Sequence, residues 1–309
     1  MTTAPIQSQI ANRKSTFAQL SLFAADIKIS HTLFALPWAV LSTFLAAKET
    51  HHPITLATVL LILGCMVTAR TVAMASNRLL DAELDAQNPR TARRAVPSGA
   101  LSRRFYLIIL ITCAVFFCFL TSGFWFLASN PWPLLLSLPV LAFVSAYPLL
   151  KRFTRLCHYY LGAALALAPV CAWLAISGQM NWPPVIMFGT VLFWTAGFDI
   201  LYACQDYDSD IATGVFSVPA KIGIARALWI SRMTHVICAG LLITLGVVSP
   251  TLSVFYFIGA GIAIMLLVVE HSLVRPNDLS KLGLAFFTVN GAISVLIGTL
   301  GLIDVFWVR

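Results

Sequence analysis

Nine stretches of this chain are each apolar for about 20 residues, the length a helix needs to cross the hydrocarbon of a bilayer. They fall near 29–47, 54–76, 105–127, 132–150, 158–178, 184–204, 227–248, 252–273 and 284–307. In lipid every backbone N–H and C=O must be bonded within the chain, so runs of this kind fold as helices. The residues are 59% hydrophobic and only 10% charged, where a soluble domain carries roughly 25% charged residues. The expectation is an all-α integral membrane protein, a bundle of nine transmembrane helices forming one domain over residues 1–309. An N-terminal segment, 1–27, precedes it, in which Ser15 to Asp26 suit a short interfacial helix. The start shows no cleavable signal pattern. The seven cysteines are scattered without a CxxC pair and read as small buried apolar residues.

The net charge of +8 is sorted by side, which argues for a membrane orientation and against nucleic-acid binding. Arg13, Lys14 and Lys28 precede or open the first run. Arg78, Arg90, Arg93, Arg94, Arg103 and Arg104 lie between the second and third runs, and Lys151, Arg152 and Arg155 between the fourth and fifth. Lys221 and Arg226, then Arg275 and Lys281, fill the next two connections on that side. The opposite connections hold only Lys48 and, at the end, Arg309. Positive residues stay inside, so the N-terminus is expected in the cytoplasm and the C-terminus outside. With no organelle transit peptide, the expected location is the cytoplasmic (inner) membrane of a bacterium, multi-pass, with the active site facing the cytoplasm.

Against this background two acid clusters stand out. Asn77-Arg-Leu-Leu-Asp81-Ala-Glu83-Leu-Asp85 and Gln205-Asp206-Tyr-Asp208-Ser-Asp210 hold six of only 12 acidic residues. Each follows an apolar run on the cytoplasmic side. Asn77, Asp81 and Asp85 are spaced i, i+4, i+8, so a helix continuing past the membrane edge sets all three on one face; Asp206 and Asp210 repeat the i, i+4 spacing. A single cluster reads equally well as a solvated helix end. Two matched clusters on one side point to carboxylates facing each other across the bundle, a suitable set for Mg²⁺, which takes one or two carboxylates plus substrate phosphate oxygens. Arg70 and Asp199 each lie seven residues deeper than their cluster, where a charge is costly and tends to face a polar cavity. Asp199 suits either a pairing with Arg70 or action on a substrate hydroxyl or proton. Tyr147 and Lys151 share a face, with Arg152 beside them. The stretch Asn88 to Gly99 is rich in guanidinium forks suited to phosphate. The candidate diphosphate-binding set is Arg70, Arg93, Arg94, Lys151, Arg152 and Lys221. The loops 77–104 and 205–226 are the expected catalytic loops, and their offset hints at a duplicated four-helix unit.

These residues resemble the UbiA superfamily of intramembrane prenyltransferases. The resemblance rests on Asn77-x₃-Asp81-x₃-Asp85, Arg90-Thr-x-Arg93-Arg94-x-x-Pro97-Ser98-Gly99, Tyr147-x₃-Lys151-Arg152 and Tyr202-x₃-Asp206-x₃-Asp210, in that order. The chain looks most like the 4-hydroxybenzoate polyprenyltransferases and their menaquinone-pathway relatives. His31-Thr-Leu-Phe-Ala-Leu-Pro37 and the run Gly197 to Asp206 look closest to the branch that prenylates 1,4-dihydroxy-6-naphthoate. The resemblance implies Mg²⁺-dependent transfer of a polyprenyl group from its diphosphate to an aromatic ring carbon, in ubiquinone or menaquinone synthesis. It implies metal at Asn77, Asp81, Asp85, Asp206 and Asp210, an allylic cation stabilised by Tyr147 and Tyr202, and a ring proton lost to Asp199 or to diphosphate. Lys28 stands where many 4-hydroxybenzoate enzymes carry an Arg, and is the candidate acceptor contact. The expected partners are polyprenyl diphosphate, a small aromatic acceptor and membrane lipid, with no nucleic acid. The main rival from another class is a secondary transporter or cation pathway using the paired acids; the charge-poor outer half argues against it. A CDP-alcohol phosphotransferase would need an Asp-Gly and an Ala-Arg between its acids, which this chain lacks.

Overall fold

The computed structural model describes residues 15–28 and 34–307. Arg13, Lys14, Arg309 and the first three residues of the stretch opening with His31 lie outside the described residues. Helix α1 (Thr16–Asp26) begins at Ser15, whose hydroxyl accepts the Ala18 N–H at 3.2 Å. This is the short helix expected before the first span, and its Phe23 and Ile27 pack on Ala75 and Tyr106. Then follow α2 (Leu36–Thr50), α3 (Leu56–Leu80), α4 (Ala82–Gln87) and α5 (Arg103–Ala128). The expected span at 132–150 breaks at Leu136 into a single turn, α6 (Trp132–Leu135), and α7 (Ser137–Leu150). Next come α8 (Cys157–Ser177) and α9 (Trp182–Ala203), the short α10 (Tyr207–Thr213) and α11 (Val218–Ile222), then α12 (Ile224–Val248) and α13 (Val254–Leu273). A π-helical turn (Leu284–Val289) leads into α14 (Asn290–Trp307). All the regular elements among the described residues are helical, and seven of them are long and apolar enough to cross a membrane. The helices of the first and fourth expected spans are shorter, at 15 and 14 described residues.

The tightest pairings are α8 with α9, α9 with α12, α3 with α5, and α2 with α8. Their shared core centres on Trp38, Trp173, Trp194 and Tyr256, all essentially inaccessible. Without a hydrophobic drive between helices in lipid, close approach and interhelical hydrogen bonds hold such bundles. Both appear here. Ser42 donates to the Pro169 carbonyl at 2.6 Å, tying α2 to α8. Asp304 of α14 accepts the N–H groups of Ser253 and Tyr256 at 2.7 and 2.8 Å, capping α13 from a neighbouring helix. Phe119, Phe126, Val247, Met265 and Val268 face outward, as a lipid-contacting surface requires.

Candidate active site

Both acid clusters fall where a long helix breaks. Helix α3 ends at Leu80 and Asp81 sits in the corner before α4. The corner keeps helical bonding on either side: Asp81 N–H donates to the Asn77 carbonyl at 2.9 Å and Asp85 N–H to the Asp81 carbonyl at 2.7 Å. The bend therefore changes the axis without losing the i, i+4 register, and Asn77, Asp81 and Asp85 all line one cavity. Helix α9 likewise tightens into a 3₁₀ turn at Cys204–Asp206 before α10, and Asp206 and Asp210 line the same cavity from the other side. The cavity, of about 460 Å³, runs from these acids down between α3, α5, α7 and α8 to Phe124 and Leu174. Its mouth is charged and its depth is apolar.

At the mouth, three acids each hold a cation. Lys151 Nζ donates to Asp81 Oδ2 at 2.7 Å, Arg94 Nη1 to Asp85 at 2.7 Å, and Arg90 forks onto Asp206 at 2.7 and 2.9 Å. The Lys151 turn is itself fixed by Phe216, whose N–H donates to the Lys151 carbonyl at 2.7 Å. Asn77 donates to Asp81 Oδ2 at 2.8 Å and accepts from Arg78. Asp81 is 1% exposed, and its second oxygen, Oδ1, is buried without a hydrogen-bond partner. Burial pushes the Asp81 carboxyl up against the opposing pull of Lys151. Burial and the guanidiniums of Arg90, Arg94 and Arg78 push the Lys28 ammonium down, with Asp26 opposing. Lys28 has a positive φ of 49° and carries its Nζ 5.1 Å from the Phe287 ring.

The expected site residues divide clearly. Asn77, Asp81, Asp85, Asp199, Asp206, Asp210, Lys28, Arg70, Arg94, Lys151, Tyr147 and Tyr202 line the cavity. Arg93, Arg152 and Lys221 do not: Arg93 is exposed, Arg152 donates to the Leu80 carbonyl at the α3 corner, and Lys221 lies over the Phe216 ring at 3.8 Å. Position beside a conspicuous motif placed them in the set; their side chains turn to the flanks of the loops. Arg70 does not meet Asp199. Its Nη2 donates to the Lys28 carbonyl at 3.3 Å and its Nε is buried without a partner. Asp199 pairs instead with His158, at 2.7 Å. Tyr202 stacks on Phe286 with ring centroids 4.0 Å apart, and the Arg90 guanidinium lies 5.5 Å from its ring.

Sequence reading passed over Arg90 as a named site residue, and over His158, Arg78 and Asn88, all in the cavity wall. Arg90 stood within a quoted motif, so its spacing to Arg93 and Arg94 was a usable signal. His158 carried none, because its partner lies 41 residues away. Among the described residues no three carboxylate, imidazole or thiol groups converge on one point closely enough to hold a metal ion unaided. The donors that line the mouth are nevertheless oxygen-rich, with the orphaned Asp81 Oδ1 among them. Such a set fits Mg²⁺, whose coordination is completed by water and substrate phosphate.

A many-spanning helical bundle whose one side opens, through paired acids and guanidiniums, onto an apolar cavity defines a class: proteins that take a charged head group and a lipid-like tail from within the membrane. The chain belongs to the UbiA prenyltransferase family, whose model matches residues 35–292. The 4-hydroxybenzoate octaprenyltransferase of Vibrio atlanticus is 30% identical over 251 residues, covering 81% of this chain and 84% of that protein. That of Alkalilimnicola ehrlichii is 29% identical over 91% of this chain and 92% of its own length. Among solved structures, the apo structure of a UbiA homologue from Aeropyrum pernix K1 superposes with a TM-score of 0.79 at 28% identity, covering 89% of this chain and 98% of that one. A UbiA homologue from Archaeoglobus fulgidus, bound to DMAPP and Mg²⁺, shares the fold with a TM-score of 0.70 at 19% identity, covering 93% of this chain and 99% of that one.

Proposed function

We propose that this protein transfers a polyprenyl group from polyprenyl diphosphate to a ring carbon of a small aromatic acid, 4-hydroxybenzoate or 1,4-dihydroxy-6-naphthoate, in respiratory quinone synthesis. One observation carries this reading: four carboxylates, Asp81, Asp85, Asp206 and Asp210, and a set of cations share a single cavity mouth above an apolar shaft. A diphosphate head needs both signs of charge, and an isoprenoid tail needs neither. The naming of the Vibrio and Alkalilimnicola relatives supports an aromatic acceptor, and the ligands of the Archaeoglobus homologue support the diphosphate and metal.

Asn77, Asp81, Asp85, Asp206 and Asp210 would hold Mg²⁺, which when bound supplies Lewis-acid neutralisation of charge on the leaving diphosphate. Arg90, Arg94 and Lys151 sit beside those acids and bind phosphate oxygens, with Arg93, Arg152 and Lys221 adding positive charge at the rim. Arg70, with an unpartnered buried Nε, carries positive charge further down the shaft. Tyr147 offers its ring to the allylic cation. Lys28 steers the acceptor's carboxylate, and Asp199 takes the ring proton. The nine-span topology, with the N-terminus and the cavity mouth on the cytoplasmic side of a bacterial inner membrane, follows from the side-sorted charge. The short helices α2 and α7 then serve as the first and fourth spans.

The test is a transfer assay on purified protein with a long polyprenyl diphosphate and Mg²⁺, each acceptor in parallel and EDTA controls. Product that disappears with EDTA is expected, and Asp81→Ala or Asp206→Ala should lower turnover by at least about 10²-fold while membrane insertion persists. Near wild-type turnover in either variant would sink the metal assignment.

A further inference from the structure

His158 is the second residue of α8 and only 3% exposed. Both of its ring nitrogens are engaged, by partners of opposite character. Nδ1 lies 2.7 Å from Asp199 Oδ2 on α9. Nε2 lies 3.1 Å from the backbone nitrogen of Val218, the first residue of α11. A backbone N–H can only donate, so Nε2 must present its lone pair. The ring proton of the neutral imidazole is then on Nδ1, directed at Asp199. A main-chain group in the loop after the second acid cluster thus dictates the tautomer of a histidine, and the histidine holds a carboxylate in the cavity.

Asp199 differs from the acids of the mouth. Asp81, Asp85 and Asp206 each pair with Lys or Arg, whereas the ion-pair partner of Asp199 among the described residues is His158. It lies seven residues before Asp206 on α9, about 10 Å deeper at the rise of an α-helix. Phe198, Tyr202 and Phe286 line the same cavity. With Oδ2 taken by His158, Oδ1 remains to meet a substrate in the cavity. The imidazole N–H, at 2.7 Å from Oδ2, fixes the direction of the carboxylate.

We propose that His158 is a positioning residue for the proton-transfer step, holding Asp199 so that its free oxygen meets the ring C–H of the acceptor, with the Val218 amide locking the required tautomer. This rests on the prenyl-transfer reading above. In that reaction the allylic C–O bond breaks and its electron pair leaves with the diphosphate. A pair from the acceptor ring forms the new C–C bond. The C–H bond at the same ring carbon then breaks, its pair returns to the ring, and the proton passes to Asp199 Oδ1, which later yields it to water.

Two substitutions separate positioning from mere support. His158→Gln keeps an N–H for Asp199 and an oxygen for the Val218 amide. His158→Ala removes both. The Val218→Pro variant deletes the amide hydrogen and exchanges the buried Val side chain for the smaller Pro ring, at the first position of a helix, where Pro is well tolerated, and after Ser217, whose φ and ψ of −73° and 155° suit a residue preceding Pro. The assay compares acceptor carrying hydrogen or deuterium at the ring carbon that is prenylated. We expect no appreciable isotope effect in the wild type. In His158→Ala we expect kcat to fall about 10²-fold, the scale of a misplaced reacting group, with a primary isotope effect on kcat and an unchanged KM for prenyl diphosphate. Val218→Pro should show the isotope effect in weaker form, and His158→Gln should restore wild-type behaviour. A wild-type kcat in His158→Ala overturns the inference, and so does a lost kcat without an isotope effect in protein that still binds prenyl diphosphate. Either result leaves the transfer reading standing, whereas absence of transfer in the wild type removes that reading and this inference with it.

Discussion

At the scale of single residues, Asp26 does more than its place in the sequence announces. It ends α1, yet it accepts four bonds: Arg78 Nε at 2.8 Å and the Tyr106 hydroxyl at 2.6 Å on Oδ2, the Ala95 N–H at 2.9 Å on Oδ1, and Arg78 Nη2 at 2.7 Å on its carbonyl. One carboxylate therefore joins α1, α3, α5 and the loop that carries Arg90 and Arg94. Arg78 is 3% exposed, so removing its partner leaves a buried, uncompensated charge. Asp26→Ala should cost roughly 3–5 kcal/mol, read as a lowered denaturation midpoint in detergent. Burial pushes the Asp26 carboxyl up, but the bonds from Tyr106, the Ala95 amide and Arg78 outweigh it and hold the group below its ordinary value. Its stabilising contribution is thus complete above the unfolded value of about 3.9 and fades as pH falls through the lower folded value. The stability gap between wild type and Asp26→Asn should narrow as pH is taken below about 4. A gap that stays constant from neutral pH to pH 3 would count against the assignment. Nothing local marks this residue, because its partners lie 52, 69 and 80 positions away.

At the scale of elements, the seam between α8 and α9 positions the chemistry. Gly162 faces Leu192 there, and a Cβ added to it would lie 2.3 Å from the Leu192 carbonyl oxygen. Main chain cannot rotate aside as a side chain does, so Gly162→Ala must push the two helices apart. The expected cost is about 1–3 kcal/mol of stability. His158 is one turn above Gly162 and Asp199 two turns above Leu192, so the same displacement stretches their 2.7 Å contact. Activity should fall by more than stability at the assay temperature explains, and circular dichroism melts alongside turnover check this. Activity that tracks the folded fraction alone would refute the coupling. Elements were also where the sequence was most readable. Apolar runs separated by sparse charge gave the long helices within a few residues, since only helices satisfy the backbone in lipid. The break at Leu136 and the corner at Asp81 were not visible, since neither interrupts the apolar or acidic pattern that marked its segment. The paired acids were legible because acids are rare in this chain. The pairings made across the bundle, Asp199 with His158 and Arg90 with Asp206, depend on how helices dock, and no spacing along one helix encodes them.

At the scale of the whole molecule, charge at one end and an apolar shaft behind it set direction as well as affinity. A diphosphate held at the mouth leaves its tail two ways to go: down the shaft, or out between helices into lipid. Cys157 at the mouth and Ala168 below it are 11 residues apart on α8, about 16 Å of helix, and both line the cavity. The lining also includes Thr121, Phe124 and Leu174, none of them charged. A tail that follows the shaft must pass Ala168, and a tail that leaves sideways need not. Ala168→Phe should therefore keep transfer from a short allylic diphosphate near wild-type rates and lower transfer from long polyprenyl diphosphates about tenfold or more, the scale of lost apolar burial for one or two methylenes and the strain of overpacking. Product masses from a mixture of chain lengths give the answer directly. An unchanged distribution would mean that the tail leaves the bundle above Ala168, and the deep cavity would then serve packing rather than chain-length selection.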